Sequence, residues 1–224
     1  MDYKVVAIDG PAGAGKSTIA KLLADRINYT YIDSGAMYRA LTLKVIETGI
    51  DIMDTQAIID ISQHVDIDFI NRSIYLDGRN VDKEIREERI NKNVSTVAAI
   101  PEVRKNIVSL QRRISLGKNV VMDGRDVGTV IFPKAFIKLF ITASLEERAK
   151  RRCSELALSG SASDLMDIQG QIEKRDFIDS HREDSPLVQA EDAVLIDTSG
   201  KNIEEVLHEV LNYISLHGGD MNVI

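Results

Sequence analysis

The chain has 224 residues, 44% hydrophobic and 28% charged, and 28 Lys and Arg against 35 Asp and Glu leave a formal charge of −7. These values suit one globular domain with a single core and exclude disordered, collagen-like and fibrous classes. The acidic balance argues against a nucleic-acid partner, and one cysteine with four scattered histidines makes neither a disulfide framework nor a structural zinc site.

The chain opens without a signal-peptide pattern, and no apolar run approaches the roughly 18–20 residues of a membrane span. A cytoplasmic protein with no membrane partner is expected. Val5-Val6-Ala7-Ile8, closing on Asp9-Gly10, reads as a buried parallel strand. Ile19, Leu22, Leu23 and Ile27 have helical spacing, so a helix is predicted over 16–27. Tyr31-Ile32 before Asp33 is a second strand, followed by helices over 36–47, starting near Ser34, and 57–64. Alternating runs around 67–69 and 73–76, with Asp77-Gly78 as a hairpin turn, predict a small antiparallel insertion within 65–81. Helices are predicted over 83–98 and 102–116, strands over 119–123 and 137–141, and helices over 145–158 and 164–181, with Gly160 and its serines breaking between them. A strand over 193–196 and a helix over 203–214 follow, and the tail from His217 is expected to fray. Strands alternating with helices give an α/β fold with a parallel sheet.

The strongest motif is Gly10-Pro11-Ala12-Gly13-Ala14-Gly15-Lys16-Ser17, which fits G-x-x-x-x-G-K-[ST] between a strand and a helix. Glycines let backbone N–H groups converge on phosphate oxygens, and the helix N-terminus adds donors and a positive dipole end. Lys16 can reach the β- and γ-phosphates and Ser17 can ligate Mg²⁺. A regulatory GTPase fits poorly, because the chain's N-K start, Asn91-Lys92-Asn93-Val94, has Val where the guanine-reading Asp belongs. A small phosphotransferase remains.

Acceptor-type motifs follow other strands. Asp33-Ser34-Gly35-Ala36-Met37-Tyr38-Arg39 and Asp123-Gly124-Arg125-Asp126 both leave strand ends, which face the ligand crevice in open α/β sheets. Asp123 is the expected carboxylate acting on Mg²⁺ through a water. Arg175, Asp179 and Arg182 recur at i, i+4 and i+7 and are expected on one helix face. Taken singly, Arg39 or Arg104 reads as an ordinary surface cation, and the 175–182 set as a solvated ion-pair stripe. Three cationic segments after a phosphate loop in an acidic chain shift that balance.

Over about 4–214 these motifs resemble bacterial cytidylate kinases, nucleoside monophosphate kinases acting on CMP and dCMP. The resemblance is carried by Ile8 through Thr18, Asp33 through Arg39, Asp123 through Val130, Glu146-Glu147-Arg148-Ala149-Lys150-Arg151-Arg152, Arg175-Asp176 and Ser185-Pro186-Leu187. It implies a three-layer P-loop kinase fold: a central parallel sheet (about 1–38, 100–143 and 182–216), a monophosphate-binding insert (about 39–99) with a small antiparallel sheet, and a helical lid (about 144–181). It implies transfer of the γ-phosphoryl of ATP, with Mg²⁺, to CMP or dCMP in pyrimidine nucleotide metabolism; a monomer is expected, although the sequence itself does not give the oligomeric state. By resemblance the ATP side takes Gly10 through Thr18, with Arg148, Arg151 and Arg152 as lid arginines over its phosphates. Ser95, Arg104 and Asp126 match the cytosine readers. Arg39, Arg125 and Arg182, with Ser34 close by, match the groups on the CMP phosphate, and Arg175 and Asp179 those near the sugar. Lys16, Arg39, Arg125 and Arg182 are the expected catalytic set, and Ser17 and Asp123 the metal side. Some relatives have Gly where this chain has Ser17. Rival readings are a kinase of the same fold acting on UMP, AMP or shikimate, and a slow regulatory nucleotide-binding module.

Overall fold

The computed structural model describes residues 3–158 and 164–217. The expected break around Gly160 and the fraying beyond His217 lie outside the described residues. In chain order the elements are β1 (Val5–Asp9), α1 (Lys16–Arg26), β2 (Thr30–Asp33), α2 (Ser34–Glu47), α3 (Thr55–His64), β3 (Ile67–Ile70), β4 (Ser73–Leu76), β5 (Arg79–Asn80), α4 (Glu88–Ala98), α5 (Pro101–Ser115), β6 (Val120–Asp123), β7 (Ile137–Thr142), α6 (Leu145–Leu158), α7 (Leu165–His181), β8 (Val194–Asp197) and α8 (Ile203–His217). A 3-10 turn at Glu84–Arg86 and a π-helix at Val127–Ile131 complete them.

Five strands form a parallel sheet in the order β2-β6-β1-β7-β8. The middle strand β1 is buried along its whole length, which explains its unbroken apolar run. Alternation along it feeds two cores. Val6 and Ile8 join α1 and α8 on one face. Val5 and Ala7 join Ile32, Met122, Val108 of α5 and the π-helix on the other. Register sets Ile8 beside Asp123 and Asp33 beside Asp123, so the C-terminal ends of β1, β2 and β6 present Asp9, Asp33 and Asp123 along one edge.

The insert has its own apolar cluster, built from α2, α3, β3, β4, α4 and α5. Its antiparallel sheet runs β3-β4-β5. Asp77 and Gly78 turn between β4 and β5 as predicted, with φ of 49° and 77°. A second turn at Asn71 and Arg72, φ 49° and 70°, joins β3 to β4, where the sequence carries no glycine.

Two predicted helices need correction. The stretch 83–98 is not continuous: a 3-10 turn ends at Arg86, Glu87 is extended, and α4 begins at Glu88. Ile85 and Ile90 both bury in the insert cluster, and a continuous helix would turn residues five apart well over a right angle from each other. The break lets both face the same core. Arg182 also lies past the end of α7, as its extended C-cap with ψ 144°, so it does not share a helix face with Arg175 and Asp179. α6 and α7 pack through Ala149, Ile168 and Ile172. No helix among the described residues is long and apolar enough to cross a membrane.

Candidate active site

The phosphate loop runs from β1 into α1, and its shape depends on three glycines at positive φ: Gly10 (144°), Gly13 (75°) and Gly15 (85°), the last being the N-cap of α1. Gly10 is also fixed by contact, since a Cβ there would lie 1.9 Å from the Ile141 carbonyl oxygen of β7. Lys16 is buried, and its Nζ donates to the Pro11 carbonyl at 2.6 Å across the loop. Burial, and after it the Arg125 charge, hold its pKa well below the usual lysine value. Thr18 is exposed in the first turn of α1.

Beside the loop, Ser17 Oγ donates to Asp123 Oδ2 at 2.7 Å, and the buried Tyr31 hydroxyl donates to Oδ1 at 2.7 Å. Burial, and then Asp33, push the Asp123 carboxyl above its ordinary range. A hydroxyl and a carboxylate in contact at the foot of a phosphate loop form the hard oxygen set that Mg²⁺ takes, with phosphate oxygens and water completing the shell. The residues therefore fit the ion.

Arg148 and Arg151 reach the loop from α6. Arg148 donates to the carbonyls of Ala143 and Ala12, both at 3.0 Å, and pairs with Asp176 of α7. Asp176 in turn accepts from the Ala12 N–H at 3.1 Å. Arg151 donates to Thr198 Oγ1 and O at 2.9 and 2.7 Å and lies 3.5 Å from the Ala14 carbonyl. Arg152 is not brought to the loop: it pairs with Glu155 at 3.0 Å on the outer face of α6.

A second constellation lies beyond the end of β6. Arg125 Nε donates to Asp179 Oδ2 at 2.8 Å. Arg39, one turn into α2, is 3.7 Å from Asp33, whose other oxygen caps the helix at the Ala36 N–H. Arg175 has a buried Nε without a partner, and burial, then Arg125 and Arg39, bring its pKa down to about 9. Such mutual repulsion among guanidinium groups is the field a phosphate dianion relieves. Burial alone would raise Asp179, yet Arg125, Arg175 and Arg182 hold it below the ordinary carboxylate value. The Ser34 hydroxyl donates to the Asp123 carbonyl at 2.7 Å, and a Cβ at Gly124 would stand 2.3 Å from that hydroxyl.

Deeper still, Arg104 of α5 is buried and paired with Asp126, and its Nη1 donates to the Ala98 carbonyl at 3.1 Å. Arg182 stands 3.8 Å from both Asp126 and Asp179 and donates from Nε to Ser185 O at 2.7 Å. Ser95 is half-buried on α4, one turn before Ala98. Arg104 Nε, Arg182 Nη2, the Tyr38 hydroxyl and Gln111 Oε1 are buried without hydrogen-bond partners. Buried polar atoms are nearly always satisfied, so this unmet hydrogen-bonding capacity marks a polar ligand site. Tyr38 also places its ring 5.3 Å from the Arg104 guanidinium. Tyr38 and Gln111 were not singled out by sequence, nor were Tyr31, Asp176 or Asp9. Asp9 accepts from the N–H groups of Val127 and Gly128. Tyr38, Asp176 and Asp9 lie within motifs the sequence shows, with no role attached to them; Tyr31 stands there only as a strand residue, and no sequence signal marks Gln111.

Comparisons with known proteins identify the family of the chain. The family described as cytidylate kinase matches residues 6–216. The cytidylate kinase of Alkaliphilus oremlandii is 52% identical over 96% of this chain and 99% of its own. That of Clostridioides difficile is 50% identical over 96% and 100% respectively. Among solved structures, a gluconokinase from Sinorhizobium meliloti superposes with a TM-score of 0.50 at 14% identity, covering 96% of this chain and 94% of that one, a likeness of fold alone.

Proposed function

This chain belongs to the cytidylate kinase family and transfers the γ-phosphoryl of ATP to CMP or dCMP, and on that premise we propose which of its residues perform each part of the reaction. The observation that carries the assignment is the pairing of a phosphate loop with a separate buried set, Arg104, Asp126 and Arg182, that has donors to spare.

ATP is held by Gly10 through Thr18, with loop N–H groups and the N-terminus of α1 on its phosphates. Ser17 and, through water, Asp123 would hold Mg²⁺, which would supply positive charge against the phosphates of ATP. Lys16 releases Pro11 and meets the charge that develops during transfer. Arg148 and Arg151 brace the loop from the lid side, and Arg152 reaches the phosphates only by leaving Glu155.

The CMP phosphate is held by Arg39, Arg125 and Arg182 beside Ser34. Arg175 and Asp179 serve the ribose side. The nucleophile is a phosphate oxygen already largely ionised near pH 7, so no general base is needed, and positioning and electrostatics carry the rate. Cytosine is read by Ser95, Arg104 and Asp126. A carboxylate can accept from the N4 amino group, while Arg donates to N3 and O2. Uracil presents O4 as an acceptor and N3–H as a donor, so it meets like partners twice, and unpaired buried groups are what reject it.

The enzyme is expected to act as a monomer in the cytoplasm. A coupled ADP-release assay over CMP, dCMP, UMP and AMP tests the reading. Fast turnover of CMP and dCMP with slow UMP and AMP is expected. Equal rates across the panel would remove the base assignment.

A further inference from the structure

We infer that Asp9 is a positioning residue for cytosine recognition: from the end of β1 its carboxylate holds the backbone that carries Arg125 and Asp126. The inference rests on the assignment of Asp126 to the base. Asp9 is 5% exposed and lies one residue before Gly10, the first glycine of the phosphate loop. Its Oδ1 accepts from the Val127 N–H at 2.8 Å and its Oδ2 from the Gly128 N–H at 2.7 Å. Those are the opening residues of the π-helix, where N–H groups have no partner within the helix.

The Asp126 carbonyl is held from the other direction, by the N–H groups of Val130 and Ile131 at 2.8 and 3.1 Å. The peptide leaving Asp126 is thus fixed on both sides, and the side chain that meets Arg104 inherits its position from that peptide. Gly10 is pinned against Ile141, so the anchor itself does not drift. One side chain therefore ties the start of the donor loop to the residue that reads the acceptor base. Burial pushes Asp9 up to about 6 even though both N–H bonds pull the other way, with Asp126 raising it further and Lys16 lowering it. The two bonds are what keep a charge in that place.

Asn at this position can accept one N–H but turns its amide N–H₂ against the other donor. Gly128 offers an independent handle on the same contact. A Cβ there would lie 3.3 Å from Asp9 Oδ2 and 3.1 Å from Lys138 Cδ, pressing the anchor from the acceptor side.

The test compares wild type, Asp9→Asn, Gly128→Ala and Asp126→Asn. It measures kcat and KM for CMP and UMP, and the affinity for a non-hydrolysable ATP analogue. Asp9→Asn and Gly128→Ala are each expected to lower kcat/KM for CMP about tenfold, the weight of one charge-assisted hydrogen bond, mainly through KM. Both should narrow the CMP/UMP ratio, with analogue affinity nearly unchanged. If Asp126→Asn narrows the ratio and the other two leave it alone, the role of Asp9 is overturned while the base assignment stands. If Asp126→Asn leaves the ratio alone, the base assignment fails and the inference with it. A parallel loss of analogue affinity in Asp9→Asn would make Asp9 part of the donor loop's own support and also overturn it. Should Asp9→Asn fail to fold, Gly128→Ala decides by the same ratio.

Discussion

Lys16 is held in the ground state by a carbonyl of its own loop, the Pro11 oxygen 2.6 Å away. Exchanging that oxygen for a developing phosphoryl charge makes its contribution larger in the transition state than in the free enzyme. Lys16→Ala should therefore lower kcat by roughly a hundredfold to a thousandfold, the usual loss for one electrostatic stabiliser, while the fold is kept. A folded variant with near-normal kcat would remove Lys16 from the chemistry. Asp9 makes the complementary prediction about stability. Its folded-state pKa of about 6 lies above the ordinary 3.8, so between those values the folded protein binds the extra proton. That contribution to stability appears as pH falls through 6, and the charge costs stability above it. In urea unfolding, the stability of wild type minus that of Asp9→Asn should rise by about 2 kcal/mol from pH 7 to pH 4.5. A pH-independent difference would contradict it. The spacing of Gly10, Gly13, Gly15 and Lys16 was legible in the sequence because few residue types meet those backbone angles. Asp9 was visible only as a strand-terminal carboxylate, because its partners are backbone groups more than a hundred residues away.

At the scale of elements, apolar runs and periodicity located every strand of the parallel sheet and nearly every helix. Three features escaped them for physical reasons. The split before α4 is decided by where Ile85 and Ile90 must point, a tertiary demand. The π-helix at Val127–Ile131 is too short to show a period, and its N–H groups are met by a carboxylate from another strand. Arg182 enters its place from an extended residue, held by the Ser185 carbonyl, so helical spacing gave its neighbourhood correctly but its geometry wrongly. The junction of β1 with the phosphate loop offers a test at this scale. Gly10→Ala combines a φ of 144° with a Cβ 1.9 Å from a backbone oxygen that belongs to the neighbouring strand. Strain of that kind should cost at least about 2 kcal/mol. For a chain of this size that is a fall of roughly 4–8 °C in Tm. An unchanged Tm would mean that the loop joins the sheet differently.

Across the whole molecule, the buried apolar residues of the described chain form four clusters. Two flank the parallel sheet, one fills the insert and a small one joins α6 and α7. The buried polar set draws on several of these elements. Arg104 comes from α5, which packs into the insert cluster; Asp126 comes from beyond the end of β6; Arg182 follows α7. A kinase that holds two nucleotides has to close over them and exclude water, and residues drawn from several elements can be brought together by that closure. The division near 39–99 and 144–181 is a proposal, and α2 and α5 each serve both the insert cluster and the site. The most direct measurement of the account is kcat/KM for CMP and UMP on wild type and Asp126→Asn. An amide can turn to donate to O4 of uracil, so the variant should lose CMP activity and narrow the CMP/UMP preference by about 1–3 kcal/mol, the value of one good base-edge contact. Equal slowing of both substrates, with the ratio unchanged, would make Asp126 a support for its arginine neighbours and contradict direct reading of the base.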